Sequence, residues 1–555
     1  MPMRYAQVLT AIAVLSVGVG CGSDDSAAGS GGSAGTGATA GSAGTGATAG
    51  SGGSAGTGAT AGSAGTGGTG GSPPLPACTQ YVAKSGSVNG QSAATSIQAG
   101  IDTLVPGAVL CVAPGSYHET VTIKTDGTAA QPITIRALDP ANKPVIDGQY
   151  ELPAGEPTNA FRPYYGNTNC SEFWEDPKAN EGPAPKQACW KWEYMVRIAK
   201  SHIVWDGIDV TRARGLGVLL GNYDGPASAV QSVQFRNSEL SHIRNEGVYI
   251  AGIKGAIFRG NIVRDTNDFA AYGRRAPKIV WVDGKPNWTG DGPGWSGAIY
   301  QRFSEDVELI DNVIFHNWGE GMVTGLFFAN TLNTHIEGNV IYDNMSVQLI
   351  PANGNNVTMV RNIIYHTGDP KYYLNVPGWT GCISFSNEDK SQTENVLFAN
   401  NIVAGCAGLL FFGQFTPEAK ITNIRVYNNT LFTNDNVFHT GSSSLNHSGL
   451  SFVNNIALGK VNMVMFPGMD FHHNVWSSAP PSYMQGPGDI ITSTPGLAMP
   501  GYKPPAGAFD TASIELLPSS PAVNGGTKVS EVTTDFFGTL RPVGAAFDIG
   551  AYELK

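Results

Sequence analysis

The chain has 555 residues, a formal net charge of −11, 72 glycines and only 14% charged residues. Asp and Glu (44) outnumber Lys and Arg (33), which excludes the basic face that a nucleic-acid partner needs, and no apolar run after the first twenty residues is long enough to span a bilayer. Low charge with abundant Val, Ile, Phe, Asn and Gly points to β-structure with many tight turns rather than to a helical protein.

Residues 1–20 carry one early positive charge, Arg4, and then the apolar stretch from Ala6 to Val19. Such a stretch reads as a secretory signal peptide. Cys21 follows in Gly18-Val19-Gly20-Cys21, which resembles a bacterial lipobox, in which the Cys becomes the lipidated first residue. Residues 21–76 form an anchor and tether. Almost every residue is Gly, Ser, Ala or Thr, and the unit Ser-Ala-Gly-Thr-Gly-Ala-Thr-Ala-Gly begins at Ser33, Ser42 and Ser54. That composition cannot bury a core and behaves as a flexible coil. The protein is therefore expected to be exported and lipid-anchored to the outer membrane or cell surface, with no other membrane contact.

Setting Cys21 aside leaves six cysteines, an even number in an exported chain, which suggests disulfides. Pairing neighbours in sequence gives Cys78–Cys111, Cys170–Cys189 and Cys382–Cys406, the simplest of 15 possible pairings.

From residue 235 onward a short word recurs: an apolar residue, two further positions, Asn, then two or three apolar residues. Examples are Phe258-Arg-Gly-Asn261-Ile-Val, Leu309-Ile-Asp-Asn312-Val-Ile, Ile336-Glu-Gly-Asn339-Val-Ile and Met359-Val-Arg-Asn362-Ile-Ile. Asn401, Asn429, Asn455 and Asn474 continue the series, and Asn237 opens it in a shifted copy. Successive asparagines lie 24, 51, 27, 23, 39, 28, 26 and 19 residues apart, so the base period is in the twenties and the 51 and 39 gaps mark insertions. A period of this size with short apolar strands and Asn or Gly turns is that of a parallel β-helix, whose coils bury their apolar side only by stacking. Asn at the same turn of each coil can stack as a ladder and tolerates left-handed backbone. These asparagines are read as structural.

The asparagine rungs resemble those of the right-handed parallel β-helix superfamily of pectate lyases and related polysaccharide-acting proteins. The opening segment agrees: Tyr81-Val-Ala-Lys-Ser-Gly-Ser, Ala113-Pro-Gly-Ser-Tyr117 and Pro144-Val-Ile-Asp-Gly148 are similar to the first coils of such proteins. Ile97, Ile101 and Leu104 share one helical face and should cap the open end of the core. At the far end, Thr534-Asp-Phe-Phe-Gly-Thr-Leu-Arg541-Pro and Phe547-Asp-Ile-Gly-Ala-Tyr-Glu553 resemble the "choice-of-anchor Q" segment of exported β-helices. The expected fold is all-β: a right-handed parallel β-helix over residues 77–495 with an N-terminal capping helix, two long loop insertions and a closing segment over residues 496–555. It is expected to act as a monomer.

The two insertions are rich in aromatic residues, which suit the faces of sugars. Residues 151–194 hold Trp190 and Trp192, and residues 270–296 hold Lys278, Trp281, Trp288 and Trp295. The tryptophans are the expected substrate platforms. Counting on from each ladder asparagine, Glu246, Asp268 and Glu320 fall at the turn before the next strand. If those coils are consecutive, the carboxylates stack ~5 Å apart, and Ca2+ is the natural filler for such a column. In the lyase relatives such a column binds Ca2+, which acidifies the proton next to a uronate carboxylate, and an Arg or Lys removes it. That resemblance implies Glu246, Asp268 and Glu320 as metal ligands. The residue types here permit that chemistry, with Arg244, Arg264, Lys278 and Glu320 as the candidate catalytic residues in Ca2+-assisted β-elimination of an acidic polysaccharide, and no catalytic role is carried over from the family. No lyase motif matches residue by residue. A non-catalytic carbohydrate-binding or adhesive protein, and a glycoside hydrolase or epimerase, are the alternatives, although the Asp-Asp pair and Gly-His-Gly of polygalacturonases do not occur after the tether.

The N-terminal reading is checked by metabolic labelling with a radioactive fatty acid. The intact protein should incorporate label and fractionate with membranes, and Cys21→Ser should do neither.

Overall fold

The computed structural model describes residues 76–149 and 194–555 apart from 214, 223–225, 268–278, 283–284, 289–296, 326–330, 353, 370–371, 373–380, 388–391, 415, 442–444, 462 and 506–507, and describes only the backbone of 279–282, 285–288 and 387. The expected anchor at Cys21, the Cys170–Cys189 pair, and Trp190, Trp192, Asp268, Lys278 and Trp295 lie outside the described residues, as do the side chains of Trp281 and Trp288. All described residues belong to one compact unit, Gly62–Lys555.

Each repeat of the asparagine word makes one coil with three short strands. Among the described residues, 33 strands join one continuous sheet wound about the long axis. The first side of the winding carries strands such as Val230–Arg236, Thr331–Glu337 and Gln392–Ala399. The second carries Glu239–Ile243, Ile262–Thr266, Val313–Phe315, Val340–Tyr342 and Ile363–Tyr365. The third carries Leu216–Gly221, Glu320–Thr324, Leu349–Pro351 and Gly381–Asn387. Two long strands, Val248–Arg259 and Gly297–Ile310, start on the third side and run on into the first. Strands on each side pair in parallel with those of the coils before and after, as in Phe235↔Phe258, Phe258↔Leu309 and Leu309↔Ile336.

The first letter of the word is the core. Phe258, Leu309, Ile336, Met359, Phe398, Val426 and Phe452 stack in one inward column and are fully buried. Trp205, Phe235 and Phe258 stack face to face, with centroids 6.0 and 5.6 Å apart. The asparagines that follow are buried too, and their amides join the coils. Asn312 donates its backbone N–H and its Nδ2 to Asn339 Oδ1 at 3.0 and 2.9 Å, and Nδ2 also donates to Phe258 O on the coil before. Asn339, Asn362, Asn401, Asn429 and Asn455 repeat the pattern, and Asp489 ends it beyond Asn474. A second buried ladder runs under the turn from the second side to the third. Thr266, Asn317 and Asn344 pass bonds along to Gln348.

Over that second ladder the turn residues form an outer column. Pairing of the preceding strands aligns Arg212, His242, Asp265, His316, Asp343 and His366. The first five have φ of 50°, 53°, 51°, 57° and 47°, the left-handed region that short polar side chains tolerate best.

The expected capping helix is present at the N-terminal end. Ile97–Ile101 is a short helix capped by Ser96 Oγ, and Glu119 accepts from the N–H groups of Ile97 and Gln98 at 2.7 and 2.9 Å. A carboxylate at a helix N-terminus satisfies donors that have no partner within the helix. Cys78–Cys111 and Cys382–Cys406 are bonded. The segment after residue 496 turns back along the solenoid and covers the outer side of Tyr342, Tyr365 and Ile402 with Ile514 and Phe536. Its fixing point is the fully buried pair Arg541–Glu553, at 2.7 Å. It docks on the first asparagine of each Asn-Asn pair: Asn400 donates to Thr534 O, Asn428 to Asp548 O and Asn454 to Thr527 O.

The ladder should carry measurable stability. Asn339→Ala leaves several buried partners unmet and should destabilise by about 3 kcal/mol. Asn333→Ala, at an exposed left-handed position of the strand Thr331–Glu337 where Asn333 bonds Asp306 and Asn356, should cost under about 1 kcal/mol. Urea melts of both variants check this.

Candidate functional site

The gaps in the asparagine spacing converge on one corner. Residues 150–193, 268–296 and 366–380 all lie between a second-side strand and the next third-side strand. Third-side strands start at this corner, and the register there differs from the one expected by counting from the asparagines. Gly297 pairs with Glu320, and Val248 pairs with Ile299. The column therefore reads Leu216, Glu246, Gly297, Glu320, Val347 and Gly381. Glu246 and Glu320 do share a column, but two coils apart, roughly 10 Å between Cα atoms, with a glycine between them. Gly297 is the intervening member, and Asp268 lies outside the described residues. Residue position relative to the strand, not to the asparagine, sets which side chains stack. Asp369 is set apart by that rule, since its strand resumes at Gly381.

This column faces outward. One step further along the strands lies a second outward column: Leu219, Tyr249, Tyr300, Val323 and Ile350. Leu216, Leu219, Tyr249, Tyr300, Val323 and Val347 form a buried apolar cluster distinct from the solenoid core. Tyr249 and Tyr300 stack at 6.1 Å and 5°. Glu320 stands in this setting, only 4% exposed, and Tyr300 Oη donates to its Oε2 at 3.0 Å. Burial raises the Glu320 pKa from 4.5 to about 7, against the lowering effect of the Tyr300 hydrogen bond. A carboxyl poised near neutrality can give or take a proton at working pH. Glu320, expected at the turn before a strand, is itself the first residue of the third-side strand, and its carboxyl is buried.

The expected bases fare differently. Arg264 stands on the second side, and its guanidinium meets Glu239 Oε1 at 2.6 Å and also binds Asp265. Burial works against its charge, but the two carboxylates offset this and hold its pKa above the ordinary value. Arg244 lies wholly buried in the turn before Glu246. The cation that shares a strand with Tyr300 is one the sequence reading missed: Arg302, which donates to Tyr249 Oη at 3.2 Å. The alternation from Tyr300 to Arg302 along one strand was the available signal.

Ca2+ fits the described residues poorly. Among them, no group of three or more carboxylate, imidazole or thiol side chains converges as a metal site. Glu320 is a buried, proton-retaining carboxyl with a phenol donor, whereas Ca2+ wants several ionised or carbonyl oxygens. Near the same corner, His366 and Asp343 are both buried, with Nδ1 3.1 Å from Oδ1. Gly368 N–H donates to His366 Nδ1 and Nε2 faces Tyr372 O at 3.1 Å, so the ring ties down the chain that follows it, and burial lowers its pKa.

A family model described as "Right handed beta helix region" matches residues 197–387. With the stacked parallel coils, the fold is that of a right-handed parallel β-helix. Solved structures similar to it include pectate lyase Pel9A, at 16% identity over 86% of this chain and 96% of that one, TM-score 0.46. Others are XylC in complex with xylose, at 12% over 86% and 98%, TM-score 0.45, and an alginate lyase from Paenibacillus sp. str. FPU-7, at 15% over 62% and 92%, TM-score 0.37. No curated protein matches the chain.

Glu320 should make stability depend on pH. Between pH 4.5 and about 7 the unfolded chain releases this proton while the folded chain keeps it. Stability contributed by the protonated group is complete below that window and lost as pH rises through it, by about 3 kcal/mol. Glu320→Gln should flatten that part of the profile, with the variant more stable than the parent at alkaline pH and similar to it in acid. Chemical denaturation across this range is the measurement.

Proposed function

We propose that the protein cleaves a polysaccharide on the outer face of the third side, by hydrolysis, with Glu320 as general acid and Glu246 as general base. The observation that carries this reading is the Glu320 carboxyl, buried among apolar side chains and still protonated near neutrality. Glu246 shares its column two coils away. Two carboxyl groups roughly 6.5–9.5 Å apart suit single-displacement glycoside hydrolysis, because a water fits between the sugar and the base. Glu320 would pass its proton to the glycosidic oxygen as that bond breaks. Glu246 would take a proton from the water that attacks the anomeric carbon from the other side. Tyr249 and Tyr300, buried in the same cluster, give the acid its apolar surroundings.

A second reading, β-elimination of a uronate-containing chain, is favoured by Arg302 on the same strand as Tyr300, where a guanidinium could pair with a substrate carboxylate. Ca2+ assistance belongs to that second reading. In either case the proposed setting is the cell surface, with the lipid on Cys21 and the tether holding the module off the membrane.

Incubation with a panel of neutral and acidic polysaccharides separates the readings. Hydrolysis releases reducing ends without the ultraviolet absorbance of an unsaturated uronate, and a chelator leaves it unchanged. Glu320→Gln should lower kcat by about 100-fold or more. An absorbance rise that a chelator abolishes would replace hydrolysis with Ca2+-assisted elimination. Binding without turnover of any chain would make the protein a carbohydrate-binding module and overturn both readings.

A further inference from the structure

We propose that Tyr300 is the positioning residue of the Glu320 carboxyl, and that Gly297 is the residue that lets it be so. The inference rests on the reading of Glu320 as the proton-transferring group, and it assigns the device that orients that proton.

The geometry begins at Gly297. A Cβ built there would sit 2.7 and 2.8 Å from Cε2 and Cδ2 of Tyr300, and 3.1 Å from Ile299 O. The tyrosine ring therefore lies across the glycine, in space that any side chain would fill. Side chains of a strand otherwise stand roughly perpendicular to the sheet. By leaning over Gly297, the Tyr300 ring brings its hydroxyl to Glu320 on the next coil, where it donates to Oε2 at 3.0 Å. On the other side the ring is braced by Tyr249, stacked parallel to it, whose own hydroxyl accepts from Arg302. Tyr300 is 2% exposed and Glu320 4%, so water competes little for this bond.

The consequence lies in which oxygen carries the proton. Oε2 is occupied as an acceptor, so the transferable proton belongs on Oε1. The phenol also stabilises the ionised carboxylate left after transfer, against the burial that disfavours it. Among the described residues, the groups around the carboxyl are few. Glu246 lies beyond Gly297 in the same column, Tyr249 and Arg302 lie behind Tyr300, and Val347 and Gly381 continue the column on the far side without charge.

The test compares Tyr300→Phe, which keeps the ring stack and deletes the hydroxyl, with Gly297→Ala, which keeps the hydroxyl and displaces the ring. The first readout is infrared difference titration of the full chain without substrate, with the Glu320 carboxyl band assigned by its loss in Glu320→Gln. Both variants should move the midpoint of that band to higher pH, by about one unit. The second readout is the pH profile of kcat/KM on a cleaved polysaccharide, whose limb governed by the acid should move in the same direction. Midpoints in both variants equal to the parent's would overturn the proposal, even if the enzyme is active. A shifted band in a protein that cleaves nothing would uphold the positioning and sink the hydrolytic reading instead.

Discussion

One constraint governs the molecule: neighbouring coils must lie a single strand spacing apart, ~4.8 Å, all along the axis. The buried amide ladder enforces it. Each asparagine satisfies a backbone N–H, a side-chain oxygen and a backbone carbonyl across three successive coils, as Asn312 does with Asn339 and Phe258. A coil out of step by one residue would strand several buried polar groups at once, at a cost of a few kcal/mol. Apolar stacking supplies most of the driving force, but it would tolerate slippage. The amides do not.

That same spacing makes a site possible. Side chains far apart in sequence become neighbours at distances set by counting coils. Glu246 and Glu320 are separated by a whole insertion, and still the register fixes them in one column with Gly297 between. Burial then sets Glu320 apart from an ordinary turn carboxylate. The insertions leave the scaffold at the corner where these residues stand, so chain length was added where chemistry can be housed and not where it would break the core.

How much of this was legible in the sequence follows from what repeats. The ladder and the inward column recur in coil after coil, so Asn261 to Asn474 and the apolar residues before them could be read directly. The capping helix was legible from Ile97, Ile101 and Leu104, because a helical face has its own period. The second amide ladder was legible in principle: Asn317 and Asn344 each follow a ladder asparagine by five positions. The site was only half legible. Glu246 and Glu320 stand out as acids at turns, but the coil between them presents Gly297, which follows an insertion and cannot be reached by counting from Asn261. Gly297 and Tyr300 lie just beyond that insertion, where counting had lost its origin. Arg264 looked like a base, and nothing in a single sequence announces that Glu239, on the neighbouring coil, has already claimed it.

The outer column of left-handed residues carries one more implication. From His242 it alternates imidazole and carboxylate: His242, Asp265, His316, Asp343, His366. Excising the one coil that bears His316 would set Asp265 directly against Asp343, like charges about one strand spacing apart. Excising two adjacent coils would restore the alternation. Loss of the His316 coil alone would therefore be costly in a way that its loss together with a neighbouring coil would not be.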